Sequence, residues 1–528
     1  MPLFQTTPIR VLIVADGIFS FDPKPADDES FTLTTLIEAL KNAVFGLLFH
    51  VETAHRTGTS FGGTINEKTG KRFEFTDIDL TPYDEIWLFG YEGFNDGTQE
   101  GIYPLADSEL IAIAGFMDGG GGVFATGDHS ELGAHMSSRI LRVGSMRFWD
   151  REHSPPGITG EFGLRLDTLV YNPLLDRSGD LDVPMVDFAD QSDNLPQIVT
   201  PVDPSHPLVQ GNNGSKITSF PDHMHEGKVA VPSDLTRTIE YTLKLPDGRR
   251  EIHRFEEYPH RGRIRPVPQV IIRGNATDHP TFVEPGDAMV PFLGDDGHSL
   301  SGSFDLLCAY DGRAASVGRV VTDSSFHHYI DLNLTGDPLA EKVGRQQGFQ
   351  VATPDGRLRP DATLLNLITF FRNIGLWLAR TDSHFVVINN VVNLDVNWRK
   401  LGEGRSASEL SPGRLQQYGA MMYRYLANRF GSVMVEDWVA SSVSDRDLGD
   451  LRRLPFGRSM IAAALGGATV QLMQVRPHEL AQPVDRKTIL EAGRRGTLAG
   501  LRSFASPLSS IGQVVTDVAA KLENLPAE

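Results

Sequence analysis

Four short runs of aliphatic and aromatic residues constrain the fold of this chain more than any other feature. They are residues 9–17 (IRVLIVADG), 83–90 (YDEIWLFG), 123–126 (VFAT) and 315–321 (ASVGRVV). Continuous apolar runs of this length are typical of strands buried on both faces of a parallel sheet. Between the first three runs, residues 31–44 and 108–118 carry apolar side chains at helical spacing. The alternation predicts an α/β fold in which helices flank a parallel sheet.

A chain of 528 residues is longer than a single hydrophobic core usually accommodates, so we expect more than one domain. We predict an α/β domain over residues 1–335. Within it, residues 150–300 are rich in Pro, Gly and Asp and read as an irregular, β-rich insertion with a hairpin at 238–255. That insertion is either a lid over the ligand crevice or a separate β subdomain.

Residues 340–528 form a mostly helical C-terminal region, with helices predicted at 364–378, 415–430, 460–472 and 503–522. One of these helices carries an apolar stripe at helical spacing: Leu415, Tyr418, Met422, Tyr425, Leu426 and Phe430. Such a stripe is either buried core or, if exposed, an interface for a partner or a homo-oligomer.

The charge distribution excludes several classes of partner. The net charge is −19, and residues 1–335 carry 26 Lys and Arg against 49 Asp and Glu. An acidic surface disfavours nucleic acid and anionic membranes, and no run of about 18 uncharged apolar residues occurs. The single cysteine, Cys308, excludes an internal disulfide framework. Together with the lack of a signal-peptide pattern, it predicts a cytoplasmic protein.

Polar residues follow the predicted strands, and the carboxyl ends of parallel strands form the ligand crevice of such sheets. We predict catalytic roles for Glu92, Asp128, His129 and His327, and substrate contacts for Asp16, Asp323 and His328. A simpler alternative is that Asp128 caps the next helix and His129 only packs. Since His327 and His328 are adjacent, we expect at least one of them to be structural.

A second histidine cluster, PDHMHEG at 221–227, indicates a metal site. In an extended segment His223 and His225 point to the same side. With Glu226 and His129 they form a candidate site for a divalent metal, Zn²⁺, Fe²⁺ or Mn²⁺. The alternative is a polar loop whose histidines have no common ligand. The glycines at 119–122 lack the spacing of a phosphate loop, so we expect no nucleotide cofactor.

The order of five blocks resembles the trehalose-utilisation (ThuA-like) family of the class I glutamine amidotransferase-like superfamily. The blocks are RVLIVADG, YDEIWLFG, GGGVFATGDH, the SHPLVQG and FPD pair at 205–222, and GRVVTDSSFHHY at 318–329. The resemblance covers about residues 8–335 and implies a flavodoxin-like sheet and a sugar-related role. This chain departs from the pattern in its long segment between 171 and 200 and in the two histidines at 223 and 225.

The superfamily's amidotransferase cysteine is absent at 127–129, so we do not expect a glutaminase. We expect instead metal-assisted hydrolysis, or proton transfer, on a small sugar-like molecule. The alternative is a non-catalytic ligand-binding or scaffold protein that assembles through its C-terminal helices.

Overall fold

The computed structural model describes thirteen segments of the chain: 8–23, 31–41, 49–93, 104–128, 132–149, 196–221, 227–276, 302–336, 346–380, 383–394, 406–443, 457–475 and 484–523. These residues divide into two compact units, one spanning 10–380 and one containing the residues after 380. The first unit is α/β and the second is helical, which confirms the predicted fold class.

A nine-stranded sheet organises the first unit. The strands of the described residues are, in chain order, β1 (Ile9–Ala15), β2 (Phe19–Ser20), β3 (Phe31–Thr32), β4 (Phe49–His55), β5 (Glu85–Phe89), β6 (Gly122–Thr126), β7 (Pro196–Pro201), β8 (Ser219–Pro221), β9 (Thr238–Lys244), β10 (Arg250–Glu256), β11 (Gln269–Ala276), β12 (Gly302–Tyr310), β13 (Val320–Asp323), β14 (Gln350–Ala352) and β15 (Leu358–Pro360). The large sheet has the order β4-β1-β5-β6-β13-β12-β11-β7-β8.

The first half of this sheet has a flavodoxin-like order. Taken along the chain, β1, β4, β5, β6 and β13 are arranged 2-1-3-4-5. The pairings of β1 with β5, β5 with β6, and β6 with β13 are parallel. Their side chains are almost all buried, as expected for strands covered on both faces.

The second half is antiparallel, so the sheet is mixed. Strand β12 pairs antiparallel with β13 and with β11, and β7 pairs antiparallel with β11 and with β8. The described strands of the predicted insertion therefore extend the main sheet. Among the described strands of the insertion, β9 and β10 instead form a separate two-stranded hairpin, at the place where a hairpin was predicted over residues 238–255.

Eleven α-helices lie within the described residues: α1 (Thr34–Lys41), α2 (Thr64–Thr69), α3 (Asp107–Asp118), α4 (Ala134–Ser137), α5 (Asp331–Leu334), α6 (Ala362–Leu378), α7 (Ser383–Leu394), α8 (Pro412–Phe430), α9 (Ser432–Val443), α10 (Gly457–Leu472) and α11 (Arg486–Glu523). Helix α6 contacts α1, β6, β8 and β13, so it belongs to the first unit. The division after residue 380 thus lies well beyond the end of the α/β domain predicted at residue 335. The reason is packing, because Phe370, Phe371 and Trp377 of α6 are buried within the first unit.

The helical unit packs through close backbone contacts. Helix α10 contacts α8 and α11 along a line of glycines, including Gly419, Gly466 and Gly496. A Cβ atom on Gly466 would lie 1.9 Å from the carbonyl oxygen of Leu415. In the apolar stripe of α8, Leu415, Tyr418, Met422, Leu426 and Phe430 are buried, so this stripe is core. Tyr425, the remaining residue of the stripe, is partly exposed.

Among the described residues, no single helix combines the length and apolarity needed to cross a membrane. Helix α6 and residues 383–393 meet that test only when they are taken together as a bent pair.

Candidate functional site

The parallel strands bring their carboxyl ends to one edge of the sheet. Ala15 of β1 lies opposite Phe89 of β5, Phe89 lies opposite Thr126 of β6, and Thr126 lies opposite Asp323 of β13. The four strands therefore end side by side, and the residues that follow them start from the same edge of the sheet. This register places Asp16, Glu92, Asp128 and His327 along one edge, as expected for the ligand crevice of an open α/β sheet.

Asp16 lies at the end of β1 and is 5% exposed. Its Oδ1 accepts hydrogen bonds from the backbone amides of Tyr91 (2.6 Å) and Glu92 (3.2 Å). Burial raises the pKa of Asp16 to about 7, and the nearby charge of Glu92 adds to that shift, while the two amides and Arg56 oppose it. A carboxyl group with a pKa near neutrality can both take up and release a proton at physiological pH.

Glu92 lies beside Asp16 and is followed in space by His135, and both are partly exposed. The carbonyl oxygen of Glu92 accepts a hydrogen bond from the backbone amide of His135 (3.2 Å). Burial raises the pKa of Glu92. Burial and the charge of Arg56 lower the pKa of His135 to about 4, so its imidazole is neutral at pH 7. The sequence analysis missed His135, whose only local signal is its position six residues after His129.

Glycines allow the turn after β6 to approach its neighbours. A Cβ atom on Gly127 would lie 2.3 Å from the carbonyl oxygen of Leu132, and one on Gly90 would lie 2.7 Å from the Cα of Gly133. Gly133 itself has a φ of 86°, which glycine adopts without strain. The backbone therefore turns sharply after Thr126 and presents Asp128 at the sheet edge.

Asp128 and His327 face each other as a buried pair. Nε2 of His327 lies 3.5 Å from Oδ2 of Asp128, and the side chains are 3% and 0% exposed. On the other side of the ring, Nδ1 of His327 is 2.9 Å from Oδ1 of Asn333. The short turn Phe326–His328 holds the ring in place, and Ser325 caps this turn by accepting a hydrogen bond from the His327 amide.

Asp323 and His328 form a different kind of cluster. Asp323 Oδ1 is 2.8 Å from Nδ1 of His328, and its Oδ2 accepts a hydrogen bond from the hydroxyl of Tyr329 (2.6 Å). All three side chains are fully buried. These two hydrogen bonds hold the turn that follows β13. The substrate contacts predicted for Asp323 and His328 stay predictions.

Aromatic rings line the same edge of the sheet. The ring of Phe31 lies 5.5 Å from His327 and 6.2 Å from Tyr91, and Phe326 lies 6.1 Å from Tyr91. Phe31 and Tyr91 are partly exposed, whereas Phe326 is buried. The polar groups Asp16 and His327 therefore lie against an aromatic surface, a common composition for small-molecule sites.

The predicted metal ligands His129, His223, His225 and Glu226 lie outside the described residues. Within the thirteen described segments, no three side chains of His, Cys, Asp or Glu come together as a metal site. Cys308 is buried in β12, and burial raises the pKa of its thiol, so it is not an activated nucleophile.

Comparison with known proteins gives no assignment for this arrangement. No family model matches the chain, and no curated protein matches it significantly.

Proposed function

We propose that this protein is an enzyme that transfers protons on a small sugar-like molecule, either beside a carbonyl group or during hydrolysis. The observation that carries the proposal is the buried Asp128–His327 pair, aligned at one sheet edge with Asp16. Titratable groups with different environments at one ligand crevice are typical of acid–base sites.

The His327–Asp128 pair can hold a transferable proton. Oδ1 of Asn333 can only accept a hydrogen bond, so Nδ1 of His327 carries a hydrogen. In a neutral ring Nε2 then has a lone pair, and this lone pair faces the Asp128 carboxyl group. In the proposed reaction a proton bound between these two acceptors relieves their repulsion, and this proton is the one transferred to a reacting group.

Asp16 supplies the complementary function. With a pKa of about 7, it exists in both protonation states near neutral pH. In its ionised form it can remove a proton from a substrate hydroxyl or C–H group. Glu92, which is partly exposed beside it, is placed to hydrogen-bond substrate hydroxyl groups.

Two observations favour a sugar-like substrate. The partly exposed rings of Phe31 and Tyr91 provide a flat apolar surface beside the polar groups, which suits the C–H face of a sugar ring. The order of sequence blocks resembling the trehalose-utilisation family points to the same class of substrate. A divalent metal bound by His223, His225, Glu226 and His129 stays a prediction, and none of the steps above depends on it.

The test uses the full chain in D₂O with a panel of reducing sugars, sugar acids and sugar lactones. Proton NMR would record exchange of C–H for C–D and the appearance of hydrolysis products. We expect at least one substrate to react, and the Asp128→Asn and His327→Gln variants to lose that reaction. Turnover that is equal in the wild type and both variants, or absent from the whole panel, would contradict the proposal.

A further inference from the structure

A buried arginine, Arg147, lies near the candidate site and follows the turn after α4. Its guanidinium group donates hydrogen bonds to four backbone carbonyl oxygens. Nη2 lies 2.6 Å from the oxygen of Asp128 and 2.7 Å from that of Ser324, Nε lies 3.0 Å from that of Asp323, and Nη1 lies 3.0 Å from that of Phe148. The Arg147 side chain is fully buried and its guanidinium carbon lies 4.6 Å from the ring of Trp149.

Three of these carbonyls belong to the two segments that carry the acid–base pair. Asp128 follows β6, whereas Asp323 and Ser324 lead from β13 into the turn that holds His327. One planar group therefore joins the ends of two neighbouring strands. Beyond the β6–β13 ladder, which ends at Thr126 and Asp323, the Phe326 amide donates a hydrogen bond to the carbonyl oxygen of Gly127 (2.8 Å).

The backbone of two glycines packs closely against the guanidinium group of Arg147. A Cβ atom on Gly227 would lie 2.2 Å from Nη2 of Arg147, and one on Gly127 would lie 3.2 Å from Nη1. A lysine could not reproduce these contacts, because its ammonium is a single point on a flexible stem, whereas arginine has five N–H donors in a rigid plane.

We propose that Arg147 is a positioning residue, which sets the distance between Asp128 and His327 by fixing the strand ends that carry them. Its importance for catalysis rests on the proposed function, whereas its effect on the geometry of the pair does not. The alternative is a purely structural arginine, whose loss lowers stability but leaves the pair unchanged in the folded protein.

The chain contains a matched control in Arg319. It is also fully buried, and its guanidinium carbon lies 4.2 Å from the ring of Trp377. It donates to the carbonyl oxygen of Trp377 and to the carboxylate of Asp311. Arg319 immediately precedes β13, however, so it lies at the opposite end of that strand from His327.

The test measures the ring ¹⁵N chemical shifts of His327 at pH 7 in the full chain labelled at histidine. His327→Gln assigns the signals, and Asp128→Asn gives the shifts of a ring without its carboxylate partner. We expect Arg147→Lys and Arg147→Met to move the Nε2 signal at least halfway toward the Asp128→Asn position. Arg319→Lys and Arg319→Met should leave it unchanged.

Wild-type shifts in either folded Arg147 variant would overturn the positioning role. So would failure of both Arg147 variants to fold while the Arg319 variants fold, because Arg147 would then be required for the fold itself. The shifts need no substrate, so a positive result together with an inactive wild type would sink the proposed reaction and leave the positioning role intact.

Discussion

Nε2 of His327 faces Oδ2 of Asp128 at 3.5 Å, although the two residues follow different strands of the sheet. Strands β6 and β13 are parallel neighbours, and Thr126 lies opposite Asp323 in their register. The pair is therefore a product of strand pairing between distant parts of the chain. Under the proposed function the two side chains are expected to act as one functional unit.

Removing either member of this pair should abolish the proposed reaction. We expect Asp128→Asn and His327→Gln each to lower kcat by about 10²–10⁴-fold, the range for loss of a positioned acid or base. The double variant should be no worse than the more severe single one, since residues that act as a unit are not additive. Steady-state kinetics on the substrate found by NMR checks this, with Asp79→Asn as an exposed control. Independent, additive losses would argue against a shared proton.

Asp16 should make stability depend on pH. The folded carboxyl keeps its proton up to a pKa of about 7, whereas the carboxyl of the unfolded chain has the ordinary pKa of 3.8. The free energy of unfolding should therefore fall as the pH rises between these two values, by up to about 4 kcal/mol. In Asp16→Asn, which retains an oxygen to accept from Tyr91 and Glu92, that part of the dependence should disappear.

Urea unfolding at pH 4.5 and pH 8, followed by intrinsic fluorescence, measures the effect of Asp16. The comparison of interest is the change in stability between the two pH values, in wild type and in Asp16→Asn. An equal change in both proteins would show that the pKa of Asp16 is not raised in the folded state.

The histidine cluster at 223–225 should bind a metal. Elemental analysis of protein purified without a histidine tag should find near-stoichiometric zinc, iron or manganese. The His223→Ala/His225→Ala double variant should lose it, because two imidazoles on one side of an extended segment are the main expected ligands. A wild type free of these metals, with the circular dichroism of a folded protein, would refute the metal site.

Two adjacent methionines of α8 provide a test of the apolar stripe. Met422 is fully buried, whereas Met421 is 40% exposed. Met422→Ala should lower the free energy of unfolding by about 2–5 kcal/mol, and Met421→Ala by less than about 1 kcal/mol. Thermal or urea denaturation gives both values. Similar small losses would indicate that the stripe is not core.

The glycine contact between α8 and α10 should tolerate no side chain. A Cβ atom on Gly466 would lie 1.9 Å from the oxygen of Leu415, so Gly466→Ala must push the helices apart, at a cost on the order of 1–3 kcal/mol. Gly413 lies in the other helix of this contact, α8, and a Cβ atom added to it would have no heavy atom within 4 Å. Gly413→Ala should be neutral or stabilise by up to about 1 kcal/mol. Circular dichroism melts of the two variants compare them directly, and equal melting temperatures would contradict the close packing.

The parallel half of the sheet was predictable because its strands are continuous apolar runs. Residues 9–17 and 83–90 contain β1 and β5, and residues 123–126 match β6 except for its first residue, Gly122. The predicted run 315–321 was less accurate, since residues 312–315 form a short 3₁₀ turn and β13 begins at Val320. Its hydrophobic composition could not show that Gly318 is packed against the backbone of Gly121.

The antiparallel half was not predictable in the same way. Strand β12 pairs on both sides, yet its sequence GSFDLLCAY contains polar residues and a glycine that obscure the pattern. Helix α7, with the sequence SHFVVINNVVNL, is rich in β-branched residues, and its tertiary packing overrides that preference. Within the site, the convergence of strand ends followed from the α/β pattern. Arg147 did not, because its partners are backbone atoms from distant segments, which leave no local signal.

The position of β13 also affects how the chain is made. Strands β1, β4, β5 and β6 emerge from the ribosome early, whereas β13 follows only after all of β7 to β12. At roughly 5–20 residues per second, synthesis from β6 to β13 takes on the order of ten seconds. Throughout that interval one edge of β6 has no strand to pair with, and exposed edges promote association with other chains. The nascent protein therefore passes through a state in which Asp128 has been synthesised but His327 has not. A chaperone that covers the unpaired edge of β6 would protect the chain from association with other chains most strongly in this state.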